Sequence, residues 1–288
     1  MTKANKGDLI FENLTRILAL LVLVILVAIF VTLVQEALPA IKEYGFDFMT
    51  QSKWAPNMEI FGGLPAIYGT IVSTIIAMII ATPLALGIAI FLTEIAPNSL
   101  RTPVGTSIEL LAAIPSIIYG MWGLFYLAPI IREHFGGMGI GIFSAGVILS
   151  IMILPFISAI SRDAMNTTPD ILKESAYALG ATKFDVIKDV IIPYAKAGVL
   201  GSIILALGRA LGETMAVTFV IGNSHKISDS IFLPATSIPA TLANEFNEAD
   251  TEIYYSSLFY LALILFVISF SVIAFAKFYL LRKVRREK

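Results

Sequence analysis

Cysteine is absent from this chain, which removes disulfides, thiol chemistry and cysteine-ligated metals from any account of it. Histidine is scarce: His134 and His225 are far apart in sequence and fall in predicted loops, so no histidine-based metal or nucleophilic site is expected. Charge is sparse too. Only 14% of residues are charged, against roughly 25% in an ordinary soluble domain, and the formal net charge of −1 provides no basic field for nucleic acid. The sequence also lacks Gly-x-x-x-x-Gly-Lys-Ser/Thr, the loop whose backbone amides and lysine cradle nucleotide phosphates, so ATP hydrolysis by this chain alone is not expected.

What is there is apolar. Of 288 residues 57% are hydrophobic, and the mean hydropathy is +0.85, more apolar surface than one soluble core could hide. The first apolar run follows Arg16 and spans about residues 16–35, long enough to cross a hydrocarbon layer roughly 30 Å thick. A cleaved signal peptide is the alternative, but signal cores are shorter and end at a small-residue site, whereas Val34-Gln35-Glu36 follows here. Five further stretches, about 64–93, 107–130, 140–160, 197–221 and 253–280, are long and apolar enough to span. The expectation is an all-α integral membrane protein, one domain over residues 1–288, with six spans and both termini on one side.

Lysine and arginine set the orientation, because short cytoplasmic loops carry the positive excess. With the N-terminus inside, the cytoplasmic segments hold Lys3, Lys6, Arg16, Arg101, Arg162, Lys173, Lys183, Lys188, Lys196 and the basic tail Arg282–Lys288. The outer segments hold only Lys42, Lys53, Arg132 and Lys226. Residues 35–63, with Trp54, Pro56, Gly62 and Gly63, read as a folded outer loop or short interfacial helix; residues 222–252 carry Pro234, Pro239 and the acidic Glu245, Glu248, Asp250 and Glu252. Residues 162–196 are cytoplasmic and helical in pattern. Thr168 is placed as a cap with Pro169 at the first helical position, Gly180 as a stop, Ala181 or Thr182 as a restart and Pro193 as the start of the next span.

Glu174-Ser175-Ala176, then Gly180, then Val190-Ile191-Ile192-Pro193 resembles the cytoplasmic loop of ABC importer permeases, which runs Glu-Ala-Ala, a glycine, and Ile-x-Leu-Pro. The departures are Ser175 for alanine and Val190 and Ile192 for isoleucine and leucine, changes that keep size and polarity. The resemblance implies that Glu174, Ser175, Ala176, Gly180 and Pro193 belong to a coupling helix that docks on an ATPase subunit. A plain surface hairpin is the alternative.

In the fifth predicted span Arg209 and Glu213 stand four apart among apolar residues, a spacing that on a helix puts both on one face. A charge near the bilayer centre costs at least about 2.5–3.5 kcal/mol, so such residues mark a pathway or a partner. Two readings stay open: a transport or gating role, and an intramembrane ion pair that locks packing. Pro115 in the third span fits a tolerated kink or a shaped pore beside Tyr119; Glu109 fits a paired or interface-reaching carboxylate better than a substrate contact. Gly69, Gly87, Gly201, Gly208 and Gly212 suggest close helix packing.

Ala210-Leu211-Gly212-Glu213 is similar to permeases for tetrahedral oxyanions, sulfate and molybdate included. The stretch from Glu213 and Thr214 to Asn223, Phe61–Thr70 and Ile114–Gly120 resemble PstC-type permeases of type I phosphate ABC importers more than PstA-type, sulfate or molybdate ones. This resemblance covers about residues 10–285. It implies a phosphate path or gate at Arg209, Glu213, Thr214 and Tyr119 and an alternating-access cycle. The partners it implies are a PstA-like permease subunit, a PstB-like ATPase dimer holding ATP and magnesium, a PstS-like phosphate-binding protein and membrane lipid. It implies no cofactor on this chain itself and a bacterial or archaeal plasma membrane location. A secondary transporter without ATPase partners, and a membrane relay of phosphate status to a sensor kinase, are the alternatives from other classes.

Overall fold

The computed structural model describes residues 6–286, and the chain there is helical, with a lone antiparallel bridge between Ala55 and Ile60 as its one piece of strand pairing. Lys3 and the side chains of Lys6 and of the basic tail from Arg282 lie outside the described residues. Five helices are long and apolar enough to cross a membrane: Ile10–Tyr44, Leu64–Ile95, Ile142–Asn166, Lys183–Leu211 and Glu252–Phe278. A sixth candidate, Asn98–Ala112 with Ser116–Phe135, is bent by 91°.

The first helix, α1 (Lys6–Tyr44), has 39 residues and so runs well past the expected 16–35, about 58 Å at 1.5 Å per residue. Its apolar window is unburied within the chain, as lipid contact requires. Its outer end is different: Ala37 and Ala40 are fully buried. They pack with α2 (Asp47–Thr50) and α13 (Glu252–Arg286) around Phe48, Trp54 and Phe61, so residues 35–63, expected on the outer side, form a folded cap.

At the centre α3 (Leu64–Ile90, ending in a π-helical turn Phe91–Ile95) packs along α7 (Ile142–Asn166). The alanine row Ala77, Ala81, Ala85 and Ala89 recurs every fourth residue and is fully buried. Small residues let the backbones approach where lipid gives no hydrophobic drive. Gly69 shows the same need, since a Cβ there would collide with the Thr236 carbonyl. Gly208 sits against Ile273, but Gly87 and Gly201 face open space and Gly212 meets only its own helix, so the expected glycine packing holds at two of these positions.

The third expected span, 107–130, is not one rod. Helix α4 (Asn98–Ala112) stops, and α5 (Ser116–Trp122) restarts at the bend after Pro115, then runs through a π-helical turn Gly123–Leu127 into α6 (Ala128–Phe135). Proline lacks the N–H that would continue the ladder and disfavours helical geometry in the residue before it. Pro83, Pro103 and Pro155 stay inside helices.

On the loop side of α7, Thr168 does not cap the next helix. Pro169 occupies the N-cap of α8 (Asp170–Ala178) in an extended conformation, and the buried Thr168 hydroxyl has no hydrogen-bond partner among the described residues. Gly180 turns the chain at φ +87°, in the left-handed region. Thr182 then starts α9 (Lys183–Asp185) with a capping box completed by Asp185. Pro193 is not the start of the following span: α9 continues through a π-helical turn, Val186–Ile191, into α10 (Ile192–Leu211), so the helix begins well before 197. It also ends early. Residues 215–221 form a separate helix, α11 (Met215–Ile221), and α12 (Ile238–Glu245) lies in the outer segment.

Candidate functional site

Helix α10 ends because Gly212 leaves the ladder and Thr214 adopts φ −105°, ψ −66°. Glu213 therefore sits in the break rather than one turn above Arg209. Its carboxylate accepts a hydrogen bond from the Ala216 amide at 3.3 Å, serving the first turn of α11, where backbone N–H groups lack helical acceptors. The Arg209–Glu213 ion pair, one of the two readings left open by the sequence, is not formed. Among the described residues no carboxylate lies within 4.0 Å of Arg209; its guanidinium carbon rests 4.4 Å from the centroid of the Phe156 ring on α7, and the side chain is exposed. Thr214 sits in the same break, its hydroxyl donating to the Gly212 carbonyl at 3.3 Å and its carbonyl accepting from Thr218.

Tyr119 faces inward at 8% exposure. Its hydroxyl donates to the Leu111 carbonyl at 2.7 Å, across the bend at Pro115. Leu111 would normally give its carbonyl to the amide of residue 115, which proline lacks, so that carbonyl accepts instead from the Ile114 amide at 3.3 Å and from the tyrosine hydroxyl. The hydroxyl thus holds the bend. The two broken helices meet: Gly120 on α5 approaches Ala216 and Phe219 on α11 so closely that a Cβ would stand 3.0 Å from the Ala216 backbone. Tyr119, Ala210 and Ala216 share one buried cluster with the α3–α7 core. The structure thus gathers the breaks at Pro115 and at Gly212–Thr214 into one region, with Arg209 on its exposed side.

Glu174, Ser175 and Ala176 lie on α8, which contains no buried residue. Glu174 and Ser175 are exposed and Ala176 leans on a cluster around Met165, Val186 and Ile191. Apolar side chains stand in solvent beside them: Leu179 is 89% exposed and Phe184 68%. Pro193 is exposed on the helix that leaves this loop.

Several groupings were missed in sequence because their members are far apart along the chain. Lys173 on α8 meets Glu94 at the end of α3 at 2.8 Å. Glu109 is paired, as expected, and its partner is Arg162 on α7 at 2.5 Å. On the outer side Glu245 accepts from Trp54 Nε1 at 2.7 Å and from the Tyr254 hydroxyl at 2.6 Å, while His225 Nε2 lies 2.6 Å from its other oxygen. The indole of Trp54 stacks on the His225 ring at 5.3 Å. Burial pushes the Glu245 carboxyl up, but the hydrogen bonds from His225, Tyr254 and Trp54 outweigh it and hold the group below its ordinary value. Trp54 alone, an indole in a polar outer segment, was a readable sign that this cap is packed.

Residues 60–286 match the family described as binding-protein-dependent transport system inner membrane component. The chain is 50% identical to the phosphate transport system permease protein PstC of Mesorhizobium japonicum, over 96% of this chain and 90% of that protein. It is 47% identical to PstC of Pasteurella multocida, over 97% and 93% respectively. Among solved structures, a subunit of a bacterial alginate ABC transporter aligns with a TM-score of 0.67 at 17% identity, covering 97% of this chain and 98% of that one. A chain of the inward-facing MetNI methionine ABC transporter aligns with a TM-score of 0.62 at 19% identity, over 77% and 94%. At those identities the structures speak for the fold, that of type I ABC importer permeases, and the sequence relatives for the family. The chain is a multi-pass membrane protein and belongs to the binding-protein-dependent inner membrane components, within them to the PstC-type permeases.

Proposed function

We propose that this chain forms, with a PstA-like permease subunit, the membrane path of an ATP-driven importer of inorganic phosphate. The observation that carries the reading is Arg209, a cation in the last turn of a broken membrane helix, held over an aromatic ring with no carboxylate within 4.0 Å among the described residues. A planar guanidinium donates paired hydrogen bonds to a tetrahedral oxyanion, and those bonds strengthen where water is scarce. With Glu213 engaged on α11, the positive charge of Arg209 is available to a passing anion. Binding there must nonetheless stay weak enough for release.

The cycle is alternating access. A PstS-like binding protein delivers phosphate to the outer cap formed by residues 35–63 and 222–252. A PstB-like ATPase dimer, which holds ATP and magnesium, docks on the cytoplasmic loop, where Leu179 and Phe184 offer exposed apolar anchors beside Glu174, Ser175 and Ala176. Gly180 at positive φ keeps that turn tight. Both termini lie in the cytoplasm, by the bias of lysine and arginine.

The test is uptake of labelled phosphate into vesicles carrying the full importer, with and without internal ATP and with sulfate and molybdate as competitors. ATP-dependent uptake that both competitors leave intact supports the reading. Uptake without ATP points to a secondary transporter, and competition by sulfate or molybdate to another oxyanion.

A further inference from the structure

The inner ends of α3, α7 and α10 and the cytoplasmic helix α8 converge around Met165. In this region Lys173 Nζ lies 2.8 Å from Glu94 Oε1, and the two side chains retain only 19% and 11% of their exposure. Glu94 belongs to the π-helical turn that ends α3; Lys173 immediately precedes the Glu174-Ser175-Ala176 segment. Among the described residues this is the one polar side-chain link from α8 to a membrane-crossing helix. The other carboxylate near Lys173, Asp170, is 4.0 Å away, 87% exposed and on α8 itself, so it competes weakly.

The remaining attachments of α8 differ in kind. The chain continues through Gly180 and Thr182 into the helix that carries Arg209 in its last turn, and Ala176 makes apolar contact with the turn at Val186–Ile191. An apolar contact of small residues can slide. A shielded charge pair resists separation, because pulling it apart leaves two charges in a place where water reaches them poorly. Glu94 in turn sits on α3, whose alanine row forms the central contact with α7. Two routes therefore leave α8: one along the backbone to Arg209, the other through Lys173 and Glu94 into the α3–α7 core.

We propose that Lys173 and Glu94 form a strut that carries displacement of α8 into α3, so that movement of the ATPase subunits rearranges the α3–α7 pair together with the arginine-bearing helix. The strut rests on the reading of this chain as an ATP-driven permease. Lys173 and Glu94 act as positioning residues, touching neither phosphate nor nucleotide.

The experiment uses the assembled importer in proteoliposomes and reads phosphate uptake and ATP hydrolysis in the same sample. Lys173→Ala, Glu94→Ala and the shape-preserving Glu94→Gln are compared with the exchange Lys173→Glu/Glu94→Lys, and co-purification of the ATPase monitors assembly. Each single change keeps ATP hydrolysis and lowers phosphate taken up per ATP by about tenfold, within the range of single coupling free energies; the exchange recovers most of the loss. Unchanged uptake per ATP in the single variants overturns the strut. So does an exchange variant no better than the singles, or loss of the ATPase subunit from single variants, which makes the pair an assembly contact. A wild-type complex without ATP-dependent uptake overturns the importer reading and the strut with it, whereas a normal wild type beside unaffected variants overturns the strut alone.

Discussion

The carboxylate of Glu213 takes the Ala216 amide, and the guanidinium of Arg209, four residues earlier, lies over Phe156 instead of against that carboxylate. Had α10 run straight through Gly212, the two charges would face each other one turn apart and neutralise. The break separates them, giving the anion to a helix start and leaving the cation to the exposed side of the site. A packing lock made of Arg209 and Glu213 would need the two side chains in contact, and Arg209 instead rests on Phe156 while Glu213 serves the Ala216 amide.

Arg209→Ala should lower phosphate uptake by about 10- to 100-fold, the loss of one or two charge-assisted hydrogen bonds, with little change in thermal unfolding. Arg209→Lys should recover only part of it, because an ammonium lacks the planar fork. Uptake in vesicles beside a melting curve in detergent checks both. Full uptake by folded Arg209→Ala would remove the arginine from the path.

Glu213→Ala should cost about 1 kcal/mol of stability, the usual worth of a carboxylate or hydroxyl serving a helix start, and Glu213→Gln less, since the amide oxygen still accepts. Differential melting of the purified subunit reads the order Ala below Gln below wild type. Equal melting of all three would show that the Ala216 contact does not hold α11.

The outer cap should be acid-sensitive. Glu245 has its folded-state value depressed, so the stability it contributes is fully present above the unfolded carboxylate value, about 4.3, and is lost as pH falls through the lower folded value. Melting temperature should therefore drop below about pH 4 in the wild type. Glu245→Gln should melt lower at neutral pH and lose stability less steeply in acid. Parallel curves for the two proteins would mean that Glu245 is not the group responsible.

Two glycines in one helix should behave oppositely. At Gly69→Ala the new methyl meets the Thr236 carbonyl, part of the backbone, and the cost should be about 1–3 kcal/mol. At Gly87→Ala nothing lies within 4 Å, and removing glycine from a helix interior should stabilise by up to about 1 kcal/mol. Melting curves of the two variants decide it.

The amino-acid sequence by itself determined the class, the order of the apolar helices and the place of the loop that carries Glu174 to Pro193. Long apolar runs must be helical in lipid, where no water satisfies the backbone, and the Glu174 to Pro193 spacing is local. Local signals also placed the helix restart at Ala181 or Thr182, and the structure settles it on Thr182, whose hydroxyl and the Asp185 carboxylate three residues on form a capping box. Breaks inside spans were less legible. Pro115 was visible, but whether it kinks a helix or turns it by 91° depends on a tyrosine whose hydroxyl reaches the Leu111 carbonyl. Gly212 was read as helical because nothing in Leu211-Gly212-Glu213 reveals that α11 will find a berth against Gly120. The partners of Glu94, Glu109 and Glu245 were beyond reach for a plainer reason. Their contacts join residues 79, 53 and 191 positions apart, and only the packing of helices brings such residues together. Whether Arg209 faces Glu213 or Phe156 was decided by tertiary structure alone, because a turn of helix forms or fails according to what packs beside it.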